Sequence, residues 1–182
     1  MKTAQVRIKG VTALLMHRFP LEPVEAIDKK SKEEQAKIAA YIDPETDELY
    51  IPGVAVQRML VNAATYSKGK GRASLQKAAA ACLMVSPERI SLGTKVYAID
   101  SRAVVVPATK GRVIRHRPRL DNWQCEFEIE FDEVLLTEEQ VHKIVNDGAA
   151  RVGLLDFRPE RKGPFGRFMV TQWEVNGNGA NR

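Results

Sequence analysis

The sequence predicts an α+β protein whose core is ferredoxin-like, the RRM-like split βαβ arrangement, with an inserted β-subdomain. Three observations lead there. Segments patterned as strand, helix, strands, strand, helix and strand follow one another along the chain. Residues 123–131 alternate without a break: Trp, Cys, Phe, Ile and Phe at odd positions, Gln and three Glu at even ones. That is the pattern of a half-buried strand. Thr137-Glu138-Glu139-Gln140 is a capping box directly ahead of Val141, Ile144, Val145 and Ala149, which share one helical face.

Taken in order, residues 4–10 alternate small or apolar with polar side chains and read as a strand presenting Arg7 and Lys9 on its polar side. Apolar chain continues to Met16 and breaks at His17-Arg18-Phe19-Pro20. Residues 21–40 read as a peripheral insertion with a charge-rich helical segment from Lys29 to Ala40. Tyr41-Ile42 and Leu49-Tyr50-Ile51 read as the arms of a short hairpin around an acidic, Pro-containing turn. Pro52-Gly53 opens a helix supported by Val54, Leu60, Val61 and Ala64, with Arg58 and Asn62 on its other side.

Ser67-Lys68-Gly69-Lys70-Gly71-Arg72 spaces three cations with glycines. It reads either as a solvated loop or as a phosphate-contacting finger, and it is not a Walker A loop. Ser74 is a candidate cap for a second helix over residues 75–84. Residues 89–92, 95–99 and 102–106 read as strands, the last leading into a basic stretch. Residues 87–122 would be the inserted β piece. After the capping-box helix, residues 153–168 hold four cations, three Phe, three Gly and two Pro. Gly and Pro keep such a loop irregular and let its backbone approach a partner closely. Residues 168–175 close as a strand, so one domain spans 1–175. The Gly/Asn-rich 176–182 reads as a disordered tail.

Composition bounds the function. With 182 residues, 44% of them apolar and 28% charged, the chain is globular. A net charge of +5 is compatible with an anionic partner without requiring one. Its distribution is more informative. Lys110, Arg112, Arg115, Arg117 and Arg119 fall within ten residues that hold no acid, whereas seven acids fall within 126–139. Cys82 and Cys125 read as buried, reduced thiols. His17, His116 and His142 are scattered, with no zinc spacing, so no metal or cofactor is expected. No signal-peptide pattern and no apolar run of about 18 residues is present, so the cytoplasm is the expected compartment, with no membrane contact. Trp123 and Trp173 sit at positions suited to core packing. Phe157, Phe165 and Phe168 either anchor their loop or face a base.

Ile51-Pro52-Gly53, followed by a helix carrying Arg58, resembles a segment of RAMP-type CRISPR proteins, and residues 153–168 are similar to the glycine-rich loop those proteins carry between the last helix and last strand. The likeness is strongest to Cas7-like backbone subunits; a phage or mobile-element relative with the same core fits equally well. Pro159 and Pro164 depart from family loops, which are denser in glycine.

The resemblance implies single-stranded RNA or DNA held along the sheet face and the loop. It also implies self-association, with subunits stacked head to tail into an oligomer or filament. Candidate contacts are Arg7, Lys9, Arg58, Lys68, Lys70, Arg72, Lys110, Arg112, Arg115, Arg117, Arg158, Arg161, Lys162, Phe165 and Arg167. No catalytic residue is expected; in an endoribonuclease of this fold, His17 or His116 would be the general acid or base. A non-catalytic binder, such a nuclease, and an interaction protein with merely solvated basic loops are the three readings that stand.

Overall fold

The structure, a computed structural model, describes residues 1–21, 23–69, 71, 73–105 and 109–177. In chain order the elements are β1 (Lys2–Gly10), β2 (Leu14–Leu15), α1 (Val24–Ile27), α2 (Lys32–Ala39), β3 (Tyr50–Pro52), α3 (Gly53–Ala63), α4 (Gln76–Cys82), β4 (Met84–Ser86), β5 (Arg89–Ser91), β6 (Ala98–Val105), β7 (Arg112–Leu120), β8 (Gln124–Phe131), α5 (Glu138–Asp147) and β9 (Phe168–Gly177). The class is α+β, with antiparallel strand pairs throughout the three sheets.

The larger sheet has the order β4-β8-β1-β9. Alternation in β1 explains its central place. Ala4, Val6 and Ile8 are buried and face a core shared with Phe127 and Ile129 of β8, while Gln5, Arg7 and Lys9 face the other way. Val56, Met59 and Leu60 of α3 and Val141, Ile144 and Val145 of α5 fill the same core. The Thr137–Gln140 capping box forms as the sequence predicts, and Trp123 is buried with its Nε1 donating to the Thr12 carbonyl at 2.8 Å. Cys82 and Cys125 are buried free thiols, and burial pushes the Cys125 thiol up to about 12.

A second sheet, β2-β7-β6, carries the basic stretch. Its β6–β7 hairpin pairs Ala98 with Arg119 through to Val105 with Arg112. The strand read over 89–92 forms as β5, whereas the two read over 95–99 and 102–106 are one strand, β6, and the basic segment is its hairpin partner β7. β5 pairs instead with β3. Ser74 does not cap α4: Leu75 holds the cap position without a side-chain bond, and Ser74 forms a bridge with Lys68. At the other end, β9 runs through Asn176 to Gly177, pairing Asn176 with Thr3. The tail expected from residue 176 thus begins no earlier than 178, and residues 178–182 lie outside the described residues.

Candidate nucleic-acid interface

The loop after α5 is positioned by backbone bonds to the turn that follows β1. Gly166 N–H donates to the Ala13 carbonyl at 2.8 Å, Asp156 N–H to the Leu15 carbonyl at 3.0 Å, and Val11 N–H to the Arg167 carbonyl at 2.8 Å. Within the loop, Leu154 N–H donates to the Gly166 carbonyl at 3.0 Å. Two glycines make this path possible. Gly166 has a φ of +72°, and a Cβ there would strike the Leu154 carbonyl; a Cβ at Gly163 would strike that of Phe157. The loop is thus ordered by the fold itself.

Its inner side packs on the β6–β7 hairpin. The Phe157 and Phe165 rings lie 6.0 Å apart. The Arg102 guanidinium sits 4.8 Å from the Phe165 centroid and 5.8 Å from that of Phe157, with Arg119 5.8 Å from Phe165. Arginine over an aromatic face is an attractive contact. Phe165 is 6% exposed, so its ring clamps the hairpin and is not presented to a base, correcting its assignment as a nucleic-acid contact.

Arg117 is corrected for the same reason. It is 4% exposed, pairs through Nη1 with Asp156, and has Nη2 3.7 Å from Asp100. Its Nε and Nη2 hold no hydrogen bond, and such a buried cation persists only because carboxylates surround it. Burial alone would raise the Asp100 carboxyl. The two-pronged grip of Arg102, at 2.5 and 2.6 Å, and the charges of Arg102, Arg117 and Arg119 outweigh that and hold it below the usual range. Neither Asp100 nor Arg102 stood out in the sequence. The available signal was an acid two residues ahead of an arginine on a strand, facing alternate arginines on the next.

The remaining candidates divide into occupied and open cations. Arg7 pairs with Glu126 at 2.5 Å, Arg115 with Asp28 at 3.0 Å, and Arg158 with Glu160 at 2.6 Å and the Leu155 carbonyl at 2.9 Å. Lys9, Arg58, Lys68, Lys110, Arg112, Arg161, Lys162 and Arg167 are exposed, and their side chains hold no ion pair or hydrogen bond among the described residues. Lys70 and Arg72 lie outside the described residues. Asn62 Nδ2 donates to Glu160 at 2.8 Å and ties α3, which carries Arg58, to the loop bearing Arg161 and Lys162.

Between these elements lies a cleft of about 230 Å³ lined by His17, Tyr41, Arg58, Asp156 and Arg158. Burial pushes the His17 pKa below its ordinary value. Asp156 opposes that shift, while Arg117 and Arg115 add to it. His116 does not line this cleft, and its Nδ1 lies 2.7 Å from Ser101 Oγ. Among the described residues no group of three His, Cys, Asp or Glu gathers into a metal-binding cluster, and no helix is long and apolar enough to cross a membrane.

The open face of the larger sheet differs from the loop. Opposite Gln5, Arg7 and Lys9 stand Glu126 and Glu128 on β8 and Glu174 on β9, with Glu130 opposite Thr3. Four carboxylates against two cations, one of them paired, repel a polyanion. The sheet face is therefore a poor path for the strand that the resemblance placed there.

No protein-family model matches the chain, and no curated protein matches it. Among solved structures, a chain in the cryo-EM structure of the Type III-B Cmr-beta bound to cognate target RNA is similar, with a TM-score of 0.56 at 13% identity. The match covers 96% of this chain and 60% of that one. At this identity the likeness is one of fold.

Proposed function

We propose that this protein binds single-stranded RNA without cleaving it, as a Cas7-like member of the RAMP group on a ferredoxin-like core. The strand order β4-β8-β1-β9, with α3 after β1 and α5 between β8 and β9, supports that core. The similar fold in an RNA-bound assembly favours RNA over DNA. One observation carries the binding role: the open cations Arg161, Lys162 and Arg167 stand on a loop pinned in place, with Arg58 on the helix tied to it, while the carboxylates collect on the sheet face. Backbone contacts of this kind bind tightly at low salt with little sequence preference. Copies bound side by side on one strand would meet through unlike surfaces and extend head to tail, in the cytoplasm.

A second reading, metal-independent RNA cleavage, is favoured by His17 alone, held toward the neutral base form beside Asp156, Arg58 and Arg158. One experiment separates the readings. Fluorescence anisotropy with labelled single-stranded RNA, single-stranded DNA and duplex DNA is measured across a salt series, and each sample is run on a denaturing gel. Tight, salt-sensitive binding of RNA left intact supports the proposal. RNA shortened without metal, and left whole by His17→Ala, moves the protein to the nuclease class. No binding at low salt refutes both readings and leaves an interaction protein.

A further inference from the structure

A larger groove adjoins the cationic cleft. It lies between residues 17–39 and β7, encloses about 510 Å³, and has Phe19, Pro20, Ile27 and Ile38 on its apolar side and Gln35 and His116 among its polar positions. Concave, mostly apolar sites of roughly 300–1,000 Å³ with a few convergent polar groups are the usual form of small-ligand pockets. Three observations restrict the occupant. His17 lines both the groove and the cleft, so the two adjoin at one ring. Arg115, the cation on the groove's β7 side, is paired with Asp28 at 3.0 Å, which leaves that wall unsuited to phosphate. Phe19 stands 83% exposed at the rim, with an open face for stacking.

Polar positions fit a flat heterocycle. Gln35, which lines the groove, donates from Nε2 to the Lys30 carbonyl at 3.0 Å, which occupies the amide's donor and leaves Oε1 as an acceptor. His116 is held by Ser101 through Nδ1, leaving Nε2 for a second contact. Arg18, exposed and with no side-chain ion pair among the described residues, also lines the groove. A ligand spanning both cavities is therefore flat in the groove and anionic at the cleft and beside Arg18.

We propose that the groove receives an unpaired nucleobase of the bound strand, stacked on Phe19, while the attached phosphate passes His17 into the cleft of Arg58 and Arg158. The proposal rests on the RNA-binding reading and adds a site to it. Base stacking of this kind contributes about tenfold or more in affinity per base.

The test compares a labelled single-stranded RNA with a strand of equal length and charge whose bases are replaced by abasic spacers, on the full chain. Two variants probe the groove: Phe19→Ala, which removes an exposed ring, and Ile38→Trp, which fills the space. The intact RNA is expected to bind the unaltered protein about tenfold tighter than the abasic strand. Either variant is expected to lose about that factor for intact RNA and to leave abasic binding unchanged. Variants that bind intact RNA as the unaltered protein does overturn the base site and leave the RNA-binding reading standing. So does a change in sedimentation mass of the free variants with RNA affinity intact, which makes the groove a contact between copies. Absence of RNA binding by the unaltered protein at low salt removes both proposals.

Discussion

Arg117 is the residue at which the basic stretch turns inward. It joins Asp156 of the loop to Asp100 of β6 from a position 4% exposed, so it locks the loop to the hairpin and is closed to solvent. Removing Arg117 leaves Asp156 without its paired cation, while Asp100 keeps Arg102 and Arg119. Arg117→Ala should lower the unfolding free energy by about 3 kcal/mol, the low end for a buried pair because Asp156 keeps 31% exposure. Urea titration reads this, and an unchanged midpoint would show that the pair is dispensable. His17 gives a pH signature. Its folded pKa lies below the ordinary 6.5, so the unfolded chain binds the proton first as pH falls. The shift costs nothing above 6.5, where both states are neutral, and a penalty grows as pH drops from there through the lower folded value. The protein should therefore lose stability more steeply below pH 6.5 than His17→Asn does, and parallel curves would show that burial does not burden the ring.

At the scale of the element, the loop of residues 153–167 depends on backbone shape before side-chain chemistry. Gly166→Ala places a Cβ at a φ of +72° and against the Leu154 carbonyl. Left-handed backbone at a non-glycine residue costs about 1–3 kcal/mol, and the clash adds to it. The variant should melt earlier and bind RNA less tightly, because Arg161, Lys162 and Arg167 lose their common frame. Calorimetry alongside anisotropy checks this; a wild-type melting temperature would mean that the loop shifts freely. The sequence made this loop's irregularity plain, since Gly and Pro act locally. It made the Thr137–Gln140 cap plain for the same reason. β7 was not legible, because its arginines alternate where apolar residues would mark a strand. Their partners are distant: Asp156 is 39 residues beyond Arg117, and Asp28 is 87 residues before Arg115. Ser74 misled because a bridge to Lys68, not a side-chain bond, decides its place.

Across the whole molecule, charge is segregated by element. Glu126, Glu128, Glu130 and Glu174 share the open face of the sheet, and the open cations Arg58, Arg161, Lys162 and Arg167 stand on α3 and the loop. A net +5 on the chain therefore understates the local field that an RNA backbone meets at the loop. Each phosphate neutralised on a single strand contributes a slope of about −0.7 to the dependence of log affinity on log salt concentration. Arg161→Gln with Lys162→Gln should flatten that slope by about 1.4 if both contact phosphate. Glu130→Gln with Glu174→Gln is the matched change on the sheet. It should leave the slope unaltered, because a strand kept off that face releases no counterions there. A slope that responds to the glutamates and ignores the two loop cations would put the RNA on the sheet, and the loop would then be a clasp for the arginine hairpin beneath it.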